Sequence, residues 1–187
     1  LTVNDPNFRP GQVFHAPYSM GVARRHDEPL LPCRESDPSA GKRDQLQDPG
    51  DIELTCVLVP KMTTRDMGFP NYLQQRLFFE RGRDSVGLSS HCITNARDNV
   101  KGRQMPVHYS WKEGNFVSIS SPVGTQFPQA VGSAMAFAYR GEDSIACTWV
   151  GEGTSAQGDF HYGLNFASVY KAPCVLVVVN NQWAIST

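Results

Sequence analysis

The sequence has 187 residues, of which 19% are charged and 40% hydrophobic, and its formal net charge at pH 7 is −1. This composition is typical of a globular protein with a sizeable core, and the near-zero charge disfavours a nucleic-acid or membrane-surface partner. No apolar run approaches the length of a membrane span, and the N-terminus lacks the features of a secretory signal. The five cysteines form no C-x-x-C pair, and Cys147 and Cys174 fall in apolar runs, which favours reduced thiols in a reducing compartment.

Two regions are expected. Residues 1–60 are rich in prolines and charges and show no sustained periodicity, so they predict an irregular N-terminal extension that is mostly loop, with one short strand at 52–58. Residues 61–187 are expected to form a single α/β domain. Because its recognisable elements make only part of a sheet, we expect this domain to be incomplete at its C-terminus and the chain to be part of a longer polypeptide.

Hydrophobic periodicity places three helices and one strand before residue 141. The spacing of apolar residues predicts a helix over 71–83, a weaker helix over 86–97 and a strand over 116–120. The pattern over 126–140 predicts the strongest helix of the chain, and Gly141 is placed to end it. Its apolar face is predicted to comprise Val131, Ala134, Met135 and Ala138.

Residues 144–181 read as one β-α-β unit. An apolar strand, SIACTWV, is followed by Gly151-Glu152-Gly153, a crossover helix over 154–171, a second apolar strand, CVLVVV, and Asn180-Asn181. Phe160, Leu164 and Ala167 are predicted to face the sheet, and His161 is interpreted as a core histidine. This order predicts a three-layer α/β fold with a mainly parallel sheet.

The glycine turn suggests a phosphate site at the end of the first strand. Residues 151–156 formally satisfy the G-x-G-x-x-G/A dinucleotide fingerprint, but an asparagine pair stands where that motif needs an acidic residue to bind the ribose. A carboxylate between two glycines would also repel a bare pyrophosphate. A divalent cation between Glu152 and a diphosphate removes both difficulties, with the Asn181 oxygen in an all-oxygen shell suited to Mg²⁺. The metal–diphosphate interpretation is therefore favoured over a nucleotide-binding dehydrogenase.

Three sequence blocks carry a family resemblance. They are KGRQMPVHY (101–109), ISSPVGTQ (119–126) and NNQWAIST (180–187), and the G-E-G turn stands in order before the last. From about Arg65 to Thr187 the chain resembles the E1 α subunits of thiamine diphosphate-dependent 2-oxoacid dehydrogenases, and most of all the branched-chain group. The resemblance implies oxidative decarboxylation of a branched-chain 2-oxoacid such as 2-oxoisovalerate, with acyl transfer to a lipoyl E2 protein.

The resemblance also implies roles for individual residues. The implied Mg²⁺ ligands are Glu152, Asn181 and the backbone carbonyl of Trp183, and backbone N–H groups of Gly153 and Thr154 are expected to bind the diphosphate. Thiamine diphosphate is further expected to contact Asn71, Tyr72, Ser121 and Val123. A K⁺ ion is expected at Ser120, Pro122, Thr125 and Gln126. Two positions depart from the family, because Leu73 and Val179 replace arginines that reach the phosphates.

The implied assembly is an α₂β₂ heterotetramer, in which the E1 β subunit supplies the aminopyrimidine half of the site. The catalytic histidine and the phosphorylated serine loop of the α subunit are expected after Thr187, so this chain alone is expected to be inactive. The implied location is the cytoplasm in a bacterium or the mitochondrial matrix in a eukaryote. A pyruvate or acetoin dehydrogenase α subunit and a non-catalytic interaction fragment of the same fold remain alternatives.

Overall fold

The structure is a computed structural model that describes residues 58–180 and the backbone of residues 13–16. These described residues contain four strands and four α-helices, and 3-10 helices lie at Val59–Lys61 and Glu152–Ala156. None of the helices in this described part is long and apolar enough to cross a membrane. In chain order the elements are β1 (Val13–Ala16), β2 (Met67–Phe69), α1 (Arg76–Glu80), α2 (Ser85–Cys92), α3 (Gln126–Arg140), β3 (Ala146–Gly151), α4 (Gly158–Val169) and β4 (Cys174–Val179).

The four strands form one parallel sheet in the order β1-β4-β3-β2. β3 and β4 pair along their whole length, from Ala146 opposite Cys174 to Gly151 opposite Val179. β1 joins the other side of β4, where Ala16 lies opposite Val179. The predicted parallel sheet is confirmed, and its strands end at a common carboxyl edge.

Alternation along β3 and β4 builds two cores, one on each face of the sheet. On one face Ala146, Val150 and Leu176 pack with residues of α3 and α4. On the other face Cys147 and Trp149 pack with residues of α1 and α2 and of the segment 107–119. Helices on both faces of a mainly parallel sheet give the predicted three-layer α/β architecture.

Helix α3 forms as predicted, with a small change in its buried face. Ala130, Val131 and Ala134 are buried at helical spacing, and Gly141 ends the helix in the left-handed conformation with φ 67°. Phe137, and not the predicted Ala138, completes the buried face, and Ala138 is exposed. The larger ring takes the core position because it lies three residues after Ala134 on the same stripe.

The first two helices are shorter than predicted. The Asn71 side chain accepts a hydrogen bond from the Leu73 backbone N–H at 2.7 Å, which forms a local turn, and α1 begins only at Arg76. Helix α2 begins after Asp84, whose carboxylate accepts from the Gly87 N–H at 3.2 Å, and it ends at Cys92 rather than at residue 97.

Three further expectations were wrong. Residues 116–120 do not form a strand, because Phe116 makes only isolated bridges, to Gly68 and Trp111. The crossover begins as a 3-10 helix, and α4 starts at Gly158 because Gln157 is extended, with φ −85° and ψ 141°. His161 is exposed on α4 and is not a core histidine.

The N-terminal region adds one unpredicted element. Strand β1 contains only four residues and lies within the segment predicted to be mostly loop. Most of the short strand predicted at 52–58 lies outside the described residues, and its last residue, Leu58, is in a turn. The strand β1 depends on hydrogen bonds to β4, a long-range partner that no local pattern reveals.

Candidate functional site

The carboxyl edge of the sheet brings the predicted site residues together. Asn71 and Tyr72 follow β2, Glu152 follows β3, and Asn180 follows β4. Because Gly151 and Val179 are register partners, Glu152 and Asn180 come directly after paired residues on adjacent strands. Ligands of open α/β sheets bind at this edge. The remaining predicted metal ligands, Asn181 and the Trp183 carbonyl, lie outside the described residues.

Glu152 presents a buried oxygen that the described residues leave unbonded. It is the first residue of the 3-10 helix that follows β3, and its Oε1 atom is buried without a hydrogen-bond partner among the described residues. An uncompensated buried carboxylate oxygen is costly, and a bound cation removes that cost. Residues 58–180 contain no cluster of three or more His, Cys, Asp or Glu side chains able to hold a metal. A Mg²⁺ site here therefore needs amide, carbonyl, diphosphate or water oxygens, which are ligands that this ion accepts.

The glycine turn packs closely against the loop that precedes α3. Gly124 has φ +90°, and a Cβ atom built on it would lie 3.0 Å from the Thr154 Cγ2 atom. Both the backbone conformation and this approach favour glycine at that position. Thr154 is buried and Gly153 is exposed. The contact therefore places the loop 120–125 directly beside the predicted diphosphate-binding turn.

The predicted K⁺ loop has a defined internal geometry. The Thr125 hydroxyl donates to the Pro122 carbonyl at 3.2 Å, and Ser120 is half-buried two residues before. Buried Gln126 donates its Nε2–H to the Trp149 carbonyl at 3.1 Å, which joins the loop to β3 and leaves the amide oxygen as the possible ligand. The loop also exposes Val123, whose side chain is 44% accessible. Oxygens of the predicted ligands Pro122 and Thr125 thus lie close together.

His108 connects two of the predicted cofactor residues and had no role assigned from sequence. Its ring stacks on Tyr72, with the centroids 5.7 Å apart and the planes 25° apart. Its Nε2 atom lies 2.7 Å from the Ser121 hydroxyl, and its Nδ1 atom lies 2.9 Å from the Pro106 carbonyl. The signal available in the sequence was its position in the block KGRQMPVHY, but the contact with Ser121 is created by the fold.

A buried His–Asp pair holds the loop that carries His108. The His91 Nδ1 atom lies 3.1 Å from the Asp98 carboxylate and the Nε2 atom lies 3.0 Å from the Met105 carbonyl. Burial raises the pKa of Asp98, but hydrogen bonds from the Gly102 and Val100 N–H groups and from His91 outweigh it and hold that pKa below its usual value. The pair is fully enclosed, so this loop is fixed from inside the fold.

The loop after β2 carries Leu73 at the position where the family resemblance implies a phosphate-binding arginine. The Asn71 side-chain oxygen accepts from the Leu73 N–H, and the Asn71 N–H donates to the Gln74 side chain at 3.0 Å. Leu73 is half-exposed beside these contacts. Asn71 thus lies at the carboxyl edge of the sheet, where the cofactor is expected. Its side-chain oxygen is already bonded to the Leu73 N–H.

The strand cysteines are structural. Cys147 and Cys174 are buried and free, as predicted. Burial raises the pKa of the Cys174 thiol to about 11, and burial also raises the pKa of Cys147, to which nearby Asp66 and Cys174 add. Thiols held in the protonated form are poor nucleophiles, so neither cysteine supplies chemistry at the site.

Comparisons with known proteins identify the family to which the sequence is related. The family model described as "Dehydrogenase E1 component" matches residues 52–187. The 2-oxoisovalerate dehydrogenase subunit alpha of Pseudomonas aeruginosa is 51% identical over 122 residues, which cover 65% of this chain and 30% of that protein. The mitochondrial subunit alpha 1 of Arabidopsis thaliana is 37% identical over 142 residues, covering 76% of this chain and 30% of the relative. The mitochondrial human subunit alpha is 41% identical over 122 residues, covering 65% and 27%.

The chain therefore spans less than a third of the length of these relatives. The matched part nevertheless includes β2, α1 to α4, β3 and β4, together with every predicted site residue. Because the family model covers most of the sequence, the conclusion does not depend on the glycine turn alone. The chain belongs to the dehydrogenase E1 component family.

Proposed function

We propose that this chain is part of the α subunit of a branched-chain 2-oxoacid dehydrogenase E1. The proposed activity of the whole protein is oxidative decarboxylation of branched-chain 2-oxoacids, in the degradation of branched-chain amino acids. Its support is the family membership together with relatives named as 2-oxoisovalerate dehydrogenase alpha subunits. Bacterial and mitochondrial relatives both occur, so the proposed compartment is the cytoplasm in a bacterium and the mitochondrial matrix in a eukaryote.

The single observation that carries the cofactor proposal is the unbonded, buried oxygen of Glu152 at the carboxyl edge of the sheet. The Glu152 carboxylate would bind Mg²⁺ together with Asn181 and the Trp183 carbonyl, and the ion would neutralise a diphosphate. The N–H groups of Gly153 and Thr154 are proposed to bind the diphosphate oxygens. When bound, thiamine diphosphate supplies the carbanion chemistry, and the protein supplies its orientation and electrostatic environment.

The loop before α3 is proposed to form the wall of the site beside the cofactor rings. Ser121 would contact the aminopyrimidine, and Val123, which projects from the loop, would support the bent cofactor. A K⁺ ion at Ser120, Pro122, Thr125 and Gln126 would order this wall. The hydrogen bond from Thr125 to the Pro122 carbonyl and the Gln126 anchor on β3 support a loop that can hold oxygens around one ion.

Activity is proposed to need two further proteins. An E1 β subunit would complete the aminopyrimidine half of the site in an α₂β₂ heterotetramer, and a lipoyl E2 would accept the acyl group. The isolated 187-residue chain is proposed to be inactive for that reason. Turnover of 2-oxoisovalerate in preference to pyruvate by the assembled enzyme would support the branched-chain assignment over the pyruvate alternative.

The proposed metal site is tested by calorimetric titration of thiamine diphosphate into the full-length α subunit assembled with its β subunit. Binding is expected with Mg²⁺ and not with a chelator, and Glu152→Gln is expected to lower the affinity by at least about tenfold, the effect of losing one charged contact. Glu142→Gln is the matched control, because that exposed carboxylate pairs with Arg140 before β3, at the opposite edge of the sheet. Metal-independent binding, or binding of NAD in its place, would refute the proposal.

A further inference from the structure

The segment 93–106, which follows α2 and is called the basic loop below, presents a positively charged surface. Its exposed residues include three cations, Arg97, Lys101 and Arg103. The only carboxylate of the segment, Asp98, is buried and bonded to His91 and to backbone N–H groups, so it does not pair with the surface cations. None of the three cations forms an ion pair with another described residue. Their charges are therefore free to act on a partner.

The basic loop has a fixed shape. The Asp98 carboxylate accepts from the Val100 N–H at 3.1 Å and from the Gly102 N–H at 2.7 Å, so the chain wraps around it. Gly102 has φ +71°, and a Cβ atom built on it would lie 2.6 Å from the Thr94 Cγ2 atom, so the two ends of the loop touch. A surface that is ordered before contact loses little conformational entropy on binding.

The basic loop borders the proposed cofactor site. It leads directly to His108, whose ring stacks on Tyr72 and lies 2.7 Å from the Ser121 hydroxyl. Tyr72 follows β2, and Ser121 belongs to the loop before α3 that packs against the glycine turn. The basic loop therefore lies next to the site without supplying any of the predicted ligands.

The composition of the basic loop suits a protein partner that binds transiently. Ile93 and Met105 are 70% and 54% exposed among the cations, and protein interfaces are enriched in arginine and methionine. The segment has no aromatic residue on which a nucleic-acid base could stack. A permanent subunit interface is more apolar than this surface, whereas complementary charge accelerates short-lived encounters between proteins. The basic loop thus fits a partner with an acidic face.

We propose that the basic loop is the docking surface for the protein that accepts the acyl group, and that this acceptor meets it with an acidic face. The inference rests on the proposed function, in which the acceptor is a lipoyl E2 that must reach and leave the site in every turnover. Attraction between the cations of the loop and acidic side chains of the acceptor raises the encounter rate and orients the lipoyl group toward the carboxyl edge of the sheet.

The test uses the full-length protein assembled with its β subunit, 2-oxoisovalerate as substrate and the lipoyl domain of its own E2 as acceptor. The double variant Lys101→Glu with Arg103→Glu reverses two charges of the basic loop. At low ionic strength its kcat/KM for the lipoyl domain is expected to fall by about tenfold, the lower end of the range for electrostatic steering, with little change in kcat. In about 1 M salt, where charges are screened beyond about 3 Å, the variant and the wild type are expected to converge.

Two controls separate docking from damage to the enzyme. Arg140→Glu with Lys171→Glu reverses the same number of exposed charges after α3 and α4, at the opposite edge of the sheet, and should leave kcat/KM for the lipoyl domain unchanged. A second assay replaces the lipoyl domain with a small dye that takes the electrons released by decarboxylation, and both double variants are expected to keep the wild-type rate. Light scattering establishes whether each variant assembles with the β subunit.

The outcomes distinguish this inference from the proposed function. If the wild type does not decarboxylate 2-oxoisovalerate with the dye, the proposed function fails and the inference fails with it. If it does, but the basic-loop variant uses the lipoyl domain as well as the wild type at low salt, only the inference is overturned. Loss of the dye reaction or of assembly in that variant would place the loop in the site or in the subunit interface and overturn it too. An equal fall in the control variant would show a general effect of net charge, with the same consequence.

Discussion

Leu73 occupies a position where the family resemblance implies an arginine that reaches the cofactor phosphates. The structure places it after β2 at the carboxyl edge, with its side chain 47% exposed and its N–H bonded to Asn71. The backbone of the site is thus in place, while the charge is absent from this position. A hydrogen bond between charged groups contributes about 1.5–3 kcal/mol, so the difference should be measurable in cofactor affinity.

Leu73→Arg is therefore expected to tighten thiamine diphosphate binding by about tenfold in the full-length protein assembled with its β subunit, as a single charge-assisted contact would do. Calorimetric titration with Mg²⁺ measures the change. Val169→Arg adds the same charge at the end of α4, near the opposite edge of the sheet, and should leave the affinity unchanged. An equal gain in both variants would indicate a general charge effect, and no gain at Leu73 would mean that the diphosphate is held by other groups.

Asp98 shows how one buried carboxylate stabilises a whole loop. It accepts from the Gly102 N–H at 2.7 Å and the Val100 N–H at 3.1 Å in addition to His91. Asp98→Asn is expected to lower the free energy of unfolding at pH 7 by about 1.5–3 kcal/mol, because bonds to a charged acceptor are lost. Asp143→Asn is the matched control, since Asp143 is almost fully exposed beside Arg65, and it should have no measurable effect.

The sign of the pH dependence follows from the lowered pKa of Asp98. A carboxylate whose pKa is lower in the folded state stabilises the fold above its unfolded pKa, which is about 4, and loses that contribution as the pH falls through the folded value. The difference in unfolding free energy between wild type and Asp98→Asn should therefore be full at pH 7 and shrink under strongly acidic conditions. Urea denaturation at several pH values measures it, and a difference that grows on acidification would contradict the assignment.

At the scale of elements, α3 and α4 approach each other closely on one face of the sheet. The Phe127 and Phe160 rings stack with centroids 4.9 Å apart, and Gly163 lies against Phe127. A Cβ atom on Gly163 would lie 2.6 Å from the Phe127 Cδ1 atom, closer than van der Waals contact permits. Gly132 on the outer side of α3 has no atom within 4 Å of the same construction. Close packing therefore requires a glycine at position 163, whereas position 132 has room for a side chain.

Gly163→Ala is expected to destabilise the protein by about 1–3 kcal/mol, because the added methyl group forces the two helices apart. Gly132→Ala adds the same atom in open space and should stabilise it by up to about 1 kcal/mol through helix propensity. Thermal unfolding of the two variants measures both changes in stability, a decrease for Gly163→Ala and an increase for Gly132→Ala. If Gly163→Ala stabilised the protein as Gly132→Ala does, the inference that α3 and α4 pack too closely for a methyl group at position 163 would be contradicted.

The elements that sequence predicted well are those whose pattern is local. Helix α3 combines a buried stripe with a left-handed Gly141, and β3 and β4 are apolar runs buried on both faces. Strand β1 was missed because four residues become a strand only by pairing with β4, and residues 116–120 lack a partner long enough to form a ladder. Glu152 was predicted from a contiguous motif, whereas the link from His108 to Ser121 joins residues 13 apart through the fold.

At the scale of the whole molecule, helix α4 has an outer face that is unusually apolar. Tyr162, Phe166 and Val169, followed by Tyr170, recur at helical spacing and are all more than half exposed. Such a contiguous apolar stripe on an exposed helix is uncommon in monomers and promotes association. This apolar face of α4 is therefore a candidate surface for association.

The isolated 187-residue chain is therefore expected to self-associate, because this stripe would otherwise remain in contact with water. Light scattering across a concentration series should show species larger than the monomer. The double variant Phe166→Gln and Val169→Gln should shift the distribution toward the monomer. Val86→Gln with Ile93→Gln, two exposed apolar residues on or beside α2, is the matched control and should not. A monodisperse wild-type monomer, or an equal response to the control pair, would show that the α4 stripe does not drive association.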